Sequence, residues 1–372
     1  MLVVLTQPPL PEGGAPGRTA LGLLRGLLGH GIEVQALAAR QHFAVPGEPP
    51  ADLPVEVLSV APTPGGMRGS FERLRRPRGE IARPEFLARV RELAARADIV
   101  HLEETETAWC DEGLENPSLV HIHYLVRRDR SFGPPWRKQF RDVAEFMLGE
   151  RAAIRRHRYL VASSPLVAQA LRAAAPRAEV VHAPLSLDPS LYPASQLAGP
   201  PVAGLIGTAT WPPTGAAMRL LVSTVWPRVR ELVPEATLLV AGRGSESLGL
   251  PRVPGVEVLG SLSSSRDFFR RISVLLNSIE RGSGMKVKVL EAMASGVPVV
   301  TTPAGAEGVD AGDGVVIEDS WNRLAEAGAE ILRDPEARRQ RGAAARAAFE
   351  LRYAPSPATA PLVELYERML SA

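Results

Sequence analysis

GSGMKVKVLEAMASGVPVVTTPAGAEG, residues 282–308, carries two of the three lysines in a chain whose Lys and Arg together number 43. The apolar run before it, SVLLNS (273–278), has the length and composition of a buried parallel strand. VKVLEAMASG then shows helical spacing, with Val289, Leu290 and Met293 turned inward. Between them lies IERGSG, whose Gly282 and Gly284 let backbone approach a ligand closely. A strand, a glycine loop and a helix start together present N–H groups and a positive dipole end, which favours an anion. Lys286 and Lys288 fall in the expected first turn, where a cation is otherwise mildly disfavoured, so they fit a phosphate beside them. An ammonium is a compact point charge, less demanding of geometry than the arginine fork. Glu291, one turn after Lys288, is placed to accept hydrogen bonds from a ribose diol. A second glycine turn, PAGAEG, follows the strand VPVVTT at its carboxyl end, where ligands sit in open α/β sheets.

Outward from this stretch, short apolar runs alternate with helical patterns. LVVLT (2–6), the loop PPLPEGGAPG, a leucine-rich helix and IEVQALA form one β-loop-α-β unit. ADIVHLE, SLVHIHYL, YLVASS and EVVHAP continue the rhythm, and Ser163 or Ser164 before Pro165 marks a helix start. PLSLDPSLYPASQLAGPP (184–201) interrupts it and reads as a linker. VAGLIG, a helix from about 215 to 232, ATLLVAG, VEVLGS, SVLLNS, VPVVTT and VVIED then restart it. The reading is two Rossmann-like domains, 1–185 and 202–357, facing each other across a cleft, with a linker at 186–201. The last helix, expected near 361–370 within a segment 358–372, is placed to pack back on the first domain.

Composition bounds the rest. A chain of 372 residues with 45% hydrophobic and 23% charged residues is of ordinary globular type. A net charge of +2 gives no global case for nucleic acid. Cys110 is the single cysteine, which excludes an intrachain disulfide and fits a reducing compartment. No run is long enough to span a bilayer, and the N-terminal apolar stretch lacks a basic region before it. A cytoplasmic protein is expected, with peripheral contact at the inner face of a membrane left open. Two basic, aromatic-bearing segments (67–80 and 127–142) read as solvated faces, or as surfaces for an acidic acceptor or an anionic membrane. His101, His121 and His123 invite a metal reading, but His121 and His123 are taken to point to opposite faces of a strand, and no metal is expected. Glu103, Glu104 and Glu106 read as solvated charges or as acceptor-side acids.

The stretch 282–308 resembles the donor-binding motif of retaining glycosyltransferases of family 4, which have the GT-B fold. Gly13 and Gly14 in the first loop, HGIEV (30–34), ADIVH (98–101 with Ala97), VHIHY (120–124), WPPTGAAM after VAGLIGTAT, and LLVAGRG are similar to the family as well. The resemblance covers nearly the whole chain and is most specific in its second half. It implies transfer of a sugar, with retention and without a metal, from a nucleoside-diphosphate sugar to an acceptor hydroxyl or amine. The donor would be UDP- or GDP-linked, no cofactor would be needed, and the acceptor would be a saccharide, a lipid-linked intermediate or a small natural product. Glu291 would hold the ribose. Lys286 or Lys288, helped by Arg281 and Arg243, would neutralise the diphosphate. Gly13 and Gly14 would close over that diphosphate, and His123 would contact the donor sugar. Gly284 in the motif loop, and Gly305, Ala306 and Glu307 in the second glycine turn, would meet diphosphate or sugar, and the turn at 258–262 would frame the base. The chain departs from the family at Ser283, eight residues before Glu291, where a glutamate is usual. Two rivals keep the fold: an epimerase of a UDP-sugar, and a non-catalytic sugar-nucleotide-binding subunit, which Ser283 suggests. An NAD enzyme is disfavoured because PEGGAPG lacks the GxGxxG spacing.

Overall fold

Runs such as LVVL and YLVA are apolar on both faces, which suits strands covered by helices on each side. The computed structural model describes residues 1–372 apart from Phe43, Gly65, Gln196 and Ala311. The chain divides into two units, Met1–Ser186 with Pro355–Ala372, and Leu187–Ala354.

In the first unit the strands are β1 (Leu2–Leu5), β2 (Gln35–Arg40), β3 (Val55–Ser59), β4 (Val100–Glu103), β5 (Ser118–Ile122), β6 (Tyr159–Ala162) and β7 (Glu179–His182). They form one parallel sheet in the order β3-β2-β1-β4-β5-β6-β7. Its helices are α1 (Ala15–Gly29), α2 (Gly66–Arg75), α3 (Pro84–Ala94), α4 (Val126–Asp129), α5 (Lys138–Arg156) and α6 (Pro165–Ala174). Val4, Leu37, Leu102, Val120 and Leu160 meet Phe86, Val90, Ile154 and Leu171 in its core. Ser164, not Ser163, caps α6 by accepting from the Val167 N–H, while Ser163 donates to the carbonyl of His123.

The second unit holds β8 (Val202–Ile206), β9 (Thr237–Ala241), β10 (Val256–Gly260), β11 (Val274–Asn277), β12 (Val299–Thr301) and β13 (Val315–Ile317), parallel in the order β10-β9-β8-β11-β12-β13. Its helices are α7 (Pro212–Leu220), α8 (Trp226–Leu232), α9 (Ser265–Arg271), α10 (Val287–Ala294), α11 (Trp321–Arg333) and α12 (Pro335–Arg352). The single helix expected at 215–232 begins earlier, at Pro212, and carries a π turn at Leu221–Val225. Pro227 follows that turn; it has no N–H to give and would crowd the preceding carbonyls of a regular α-helix. The proline-rich stretch after Ser186 is packed within this unit: Tyr192 is buried and bonds Glu291, and Ser195 bonds the carbonyl of Phe269.

The chain ends in α13 (Pro355–Ser371), which starts six residues earlier than Pro361, the expected first residue. Pro355 and Pro357 lie in its first turn, where their missing N–H groups have no intrahelical partner to lose. α13 lies against α1, and the approach is close. A Cβ on Gly26 would stand 2.5 Å from both the Pro355 carbonyl oxygen and Thr359 Oγ1. Gly29 on the same helix has nothing within 4 Å.

Gly26→Val is therefore expected to lower stability by about 1–3 kcal/mol through overpacking. Gly29→Ala should leave it unchanged or raise it by up to about 1 kcal/mol. Thermal denaturation of the two variants checks this, and a Gly26→Val protein melting with the wild type would place α13 elsewhere.

Candidate functional site

Each sheet reverses its winding once, between β1 and β4 in the first unit and between β8 and β11 in the second. The loops leaving adjacent strands diverge there, which opens a crevice at the carboxyl ends of the strands. Of the sequence-derived candidates, Gly13 and Gly14 follow β1, and Arg281, Gly284, Lys286 and Lys288 follow β11, while His123, Arg243 and Gly305 to Glu307 follow β5, β9 and β12, one strand away from a reversal.

In the second unit, Lys288 reaches from α10 to the loop after β8. Its Nζ is 3.3 Å from Thr214 Oγ1, and a Cβ on Gly207 would stand 3.0 Å from it. Burial, with Lys286 nearby, draws its ammonium down to about 8, against the attraction of Glu291. Lys286 is the N-cap residue of α10, one position outside the expected first turn. Its Nζ folds back onto the carbonyls of Gly284 at 2.6 Å and Ser283 at 3.3 Å, so it ties the loop that precedes the helix. Gly282 and Gly284 have φ of 143° and 69°, a region open to glycine and strained for other residues, and the turn they make buries Ser283 between them. Neither α7 nor α10 carries a side-chain cap, whereas Ser264, Ser320 and Asp334 cap α9, α11 and α12.

Glu291 is buried within α10, and its Oε1 accepts from Ser265 Oγ at 2.6 Å and Tyr192 O–H at 3.2 Å. Arg243 and Arg281 are exposed, just beyond β9 and β11. The N–H groups of Gly305 and Ala306 both turn back to the Thr302 carbonyl at 3.0 Å, so that turn consumes them itself; Glu307 follows, half-buried. The turn at 258–262 begins in β10, with Gly260 at φ 69°.

In the first unit, Gly14 is the N-cap of α1 and offers no side-chain cap, and the Gly13 carbonyl accepts from Arg18. Thr6, just past β1, donates to Glu104, just past β4, which bridges the winding reversal. Glu104 has φ 68° and ψ 162°. Burial raises its carboxyl above the usual range, with Glu106 and Glu103 adding and His123 and Thr6 opposing.

Beside it stands a buried cluster that the sequence reading divided wrongly. His121 and His123 do not point to opposite faces: both bond the single carboxylate of Glu103, His121 Nδ1 at 3.2 Å and His123 Nε2 at 2.7 Å. Residues two apart in extended chain share a face, since the side-chain period is two. The register pairs Glu103 with His121, and His101 adds a third imidazole through Nε2 at 2.8 Å. Burial opposes the Glu103 charge, but His121, His123 and the bond from His101 outweigh it and hold the carboxyl well below the usual range. Burial pulls His121 down to about 4. For His123 burial acts the same way, but Glu103, then Glu104 and Glu106, raise it overall. Glu106 is no solvated charge either, since its Oε1 accepts from Arg78 at 2.9 Å. His101, Glu103 and His121 are, among the described residues, the group whose atoms could hold a metal ion. A metal there would displace the protons that His101 and His121 place on Glu103 Oε2.

Residues 200–334 match the model of the family described as glycosyl transferases group 1. A search of curated proteins finds no match. Among solved structures, sucrose-phosphate synthase (tll1590) from Thermosynechococcus elongatus is similar at 15% identity and a TM-score of 0.72, over 100% of this chain and 99% of that one. Anabaena Alr3699/HepE, solved with UDP and glucose, is similar at 16% and 0.64, over 99% of each chain. An α,α-trehalose-phosphate synthase (UDP-forming) from Burkholderia vietnamiensis is similar at 12% and 0.65, over 100% of this chain and 98% of that one. At such identities the likeness concerns the fold, and the fold is GT-B, two Rossmann-like parallel-sheet domains.

The Glu104 backbone lies in a region open essentially to glycine alone. Glu104→Gly and Glu104→Ala both lose the carboxyl and its bond to Thr6, but only alanine keeps a Cβ. The glycine variant should be more stable than the alanine variant by about 1–3 kcal/mol, the reverse of their usual order. Urea denaturation at one pH decides it, and equal midpoints would mean an unstrained backbone.

Proposed function

We propose that the protein is a retaining glycosyltransferase that moves a sugar from a nucleoside-diphosphate sugar, UDP- or GDP-linked, to a hydroxyl or amine acceptor, without a metal. The observation that carries this is Lys288: a half-buried ammonium at the winding reversal of the second sheet, among glycine backbone and two uncapped helix starts. Departure of the diphosphate leaves negative charge, and a lysine with helix N-termini is suited to receive it. Glu291, three residues on, would exchange its bonds from Tyr192 and Ser265 for a ribose diol. Arg243, Arg281 and Lys286 would add positive charge around the diphosphate, with Lys286 released from the loop carbonyls. Gly284, Gly305, Ala306 and Glu307 would border the sugar and diphosphate; Gly13 and Gly14 would meet the diphosphate, and His123 the donor sugar. The group 1 match over 200–334 supports this reading, and so does the UDP and glucose bound by a GT-B relative.

The acceptor would be a saccharide, a lipid-linked intermediate or a small natural product. Peripheral membrane contact is consistent with α2, where Met67, Phe71 and Leu74 are 90%, 68% and 77% exposed at helical spacing, and with Trp136 at 84%. Arg76 and Arg78 of the same basic segment are occupied by Glu112 and by Glu80 and Glu106. No helix among the described residues is long and apolar enough to cross a membrane.

Transfer assays with UDP-, GDP- and dTDP-sugars test the activity. Tight nucleotide binding without transfer to any acceptor would return the chain to a binding subunit, and isomerised donor without acceptor to an epimerase. Calorimetry tests the site. Lys288→Met should weaken nucleoside-diphosphate binding roughly tenfold or more, the worth of one charge-assisted hydrogen bond. Because free Lys288 loses its proton near 8, binding above that pH must restore it. Wild-type affinity should fall as pH rises from 7 to 9.5, while Lys288→Met stays flat. A flat wild-type profile would remove Lys288 from the diphosphate.

A further inference from the structure

We propose that Glu103 is a positioning residue that fixes which ring nitrogen His123 presents to substrate, and that Tyr366 of α13 sets the proton order behind it through His101. This rests on the reading above that His123 meets the donor sugar.

A carboxylate accepts hydrogen bonds and donates none. The three imidazole nitrogens on Glu103 are therefore the protonated ones: His101 Nε2 and His121 Nδ1 on Oε2, and His123 Nε2 on Oε1. With its proton on Nε2, a neutral His101 has only a lone pair at Nδ1, and there the Tyr366 hydroxyl stands 2.6 Å away and must donate. The direction of the chain is thus fixed from Tyr366 O–H to His101, and from His101 N–H to Glu103. Every member is buried: His101 is 0% exposed, Tyr366 4% and Glu103 4%. No water competes for these bonds, so each strongly favours its one partner.

The consequence falls on His123. Its Nε2 is committed to Glu103, which leaves Nδ1 as the ring nitrogen for any other partner. That nitrogen faces Glu104 Oε1 at 3.8 Å, beyond hydrogen-bond reach, so a ligand oxygen can take its place beside it. Exchanging the two nitrogens by a ring flip would break the bond to Glu103. The arrangement parallels the way an outer carboxylate orients a working imidazole elsewhere, where its loss typically costs about 10–100-fold. An amide at position 103 cannot serve all three imidazoles. It offers an oxygen on one side and an NH2 on the other, so at least one histidine must change its proton or lose its bond.

The test uses full-length protein labelled with ¹⁵N-histidine, read by imidazole NMR without substrate. The expected wild-type pattern is protonated Nε2 on His101 and His123 and protonated Nδ1 on His121. In Glu103→Gln this pattern should break, and turnover should fall about 10–100-fold with the donor KM changed less than about threefold. In Tyr366→Phe the His101 signals should shift while His123 keeps its Nε2 proton; this variant also carries the test if Glu103→Gln fails to fold. A wild-type His123 with a bare Nε2 would overturn the proposal, as would a stoichiometric divalent ion in the purified protein. So would Glu103→Gln turning over within twofold of wild type while His123→Ala is inactive. If His123→Ala instead turns over like wild type, the role given to His123 fails, and the NMR pattern still decides the positioning geometry by itself.

Discussion

A parallel sheet can be wound in only one direction from each side of its first strand, so a sheet extended both ways must have one place where the winding reverses. At that place neighbouring loops part, and backbone groups at strand and helix ends face a gap. The molecule has two such places, and an ionisable group in an unusual state stands at each, Glu104 at the first and Lys288 at the second. Thr6 and Glu104 close one of them, and Lys288 crosses the other toward Gly207 and Thr214. The chemistry assigned to each unit follows from this constraint, since polar groups placed elsewhere along the strands would be sealed under helices.

What the sequence reveals divides along the same line. The second sheet is legible because its strands are nearly continuous apolar runs and the α10 motif is local: Gly282 to Glu291 spans one loop and one short helix. The lysine bias marks the spot, although which lysine faces the crevice and which ties its own loop depends on rotamers that spacing does not set. The edge strand β3 is harder to see. VEVLS is half-buried and lies between proline-rich segments, so it lacks the signature of its neighbours. The start of α13 is hard to see for a related reason: three prolines fall within seven residues, although two of them occupy the first turn.

The His–Glu cluster was legible only in part. The parity of His121 and His123 is in the sequence, and two residues of separation on a strand already places both on one face. That His101 and Glu103 share that face follows from the same rule. What spacing cannot supply is the register, Glu103 opposite His121, or the arrival of Tyr366 from a helix 265 residues further along the chain. Treating the three acids at 103, 104 and 106 as one loop of charges concealed that each has a separate environment.

Those environments explain how one short stretch can hold three carboxyl groups in different states. Glu103 is held charged by the three imidazoles around it, and Glu106 is paired with Arg78. The Glu104 carboxyl lies between them with Thr6 donating to it, and burial pushes its proton affinity up. Its backbone is held in a conformation that glycine would adopt more easily. A sequence selected for stability alone would place glycine there, because the side chain is tied by one bond and opposed by two neighbouring acids. Keeping a glutamate beside the His123 nitrogen left open by Glu103 makes physical sense if the pair faces a ligand together. The strain at position 104 and the restraint on His123 are then two parts of one arrangement at the winding reversal of the first sheet.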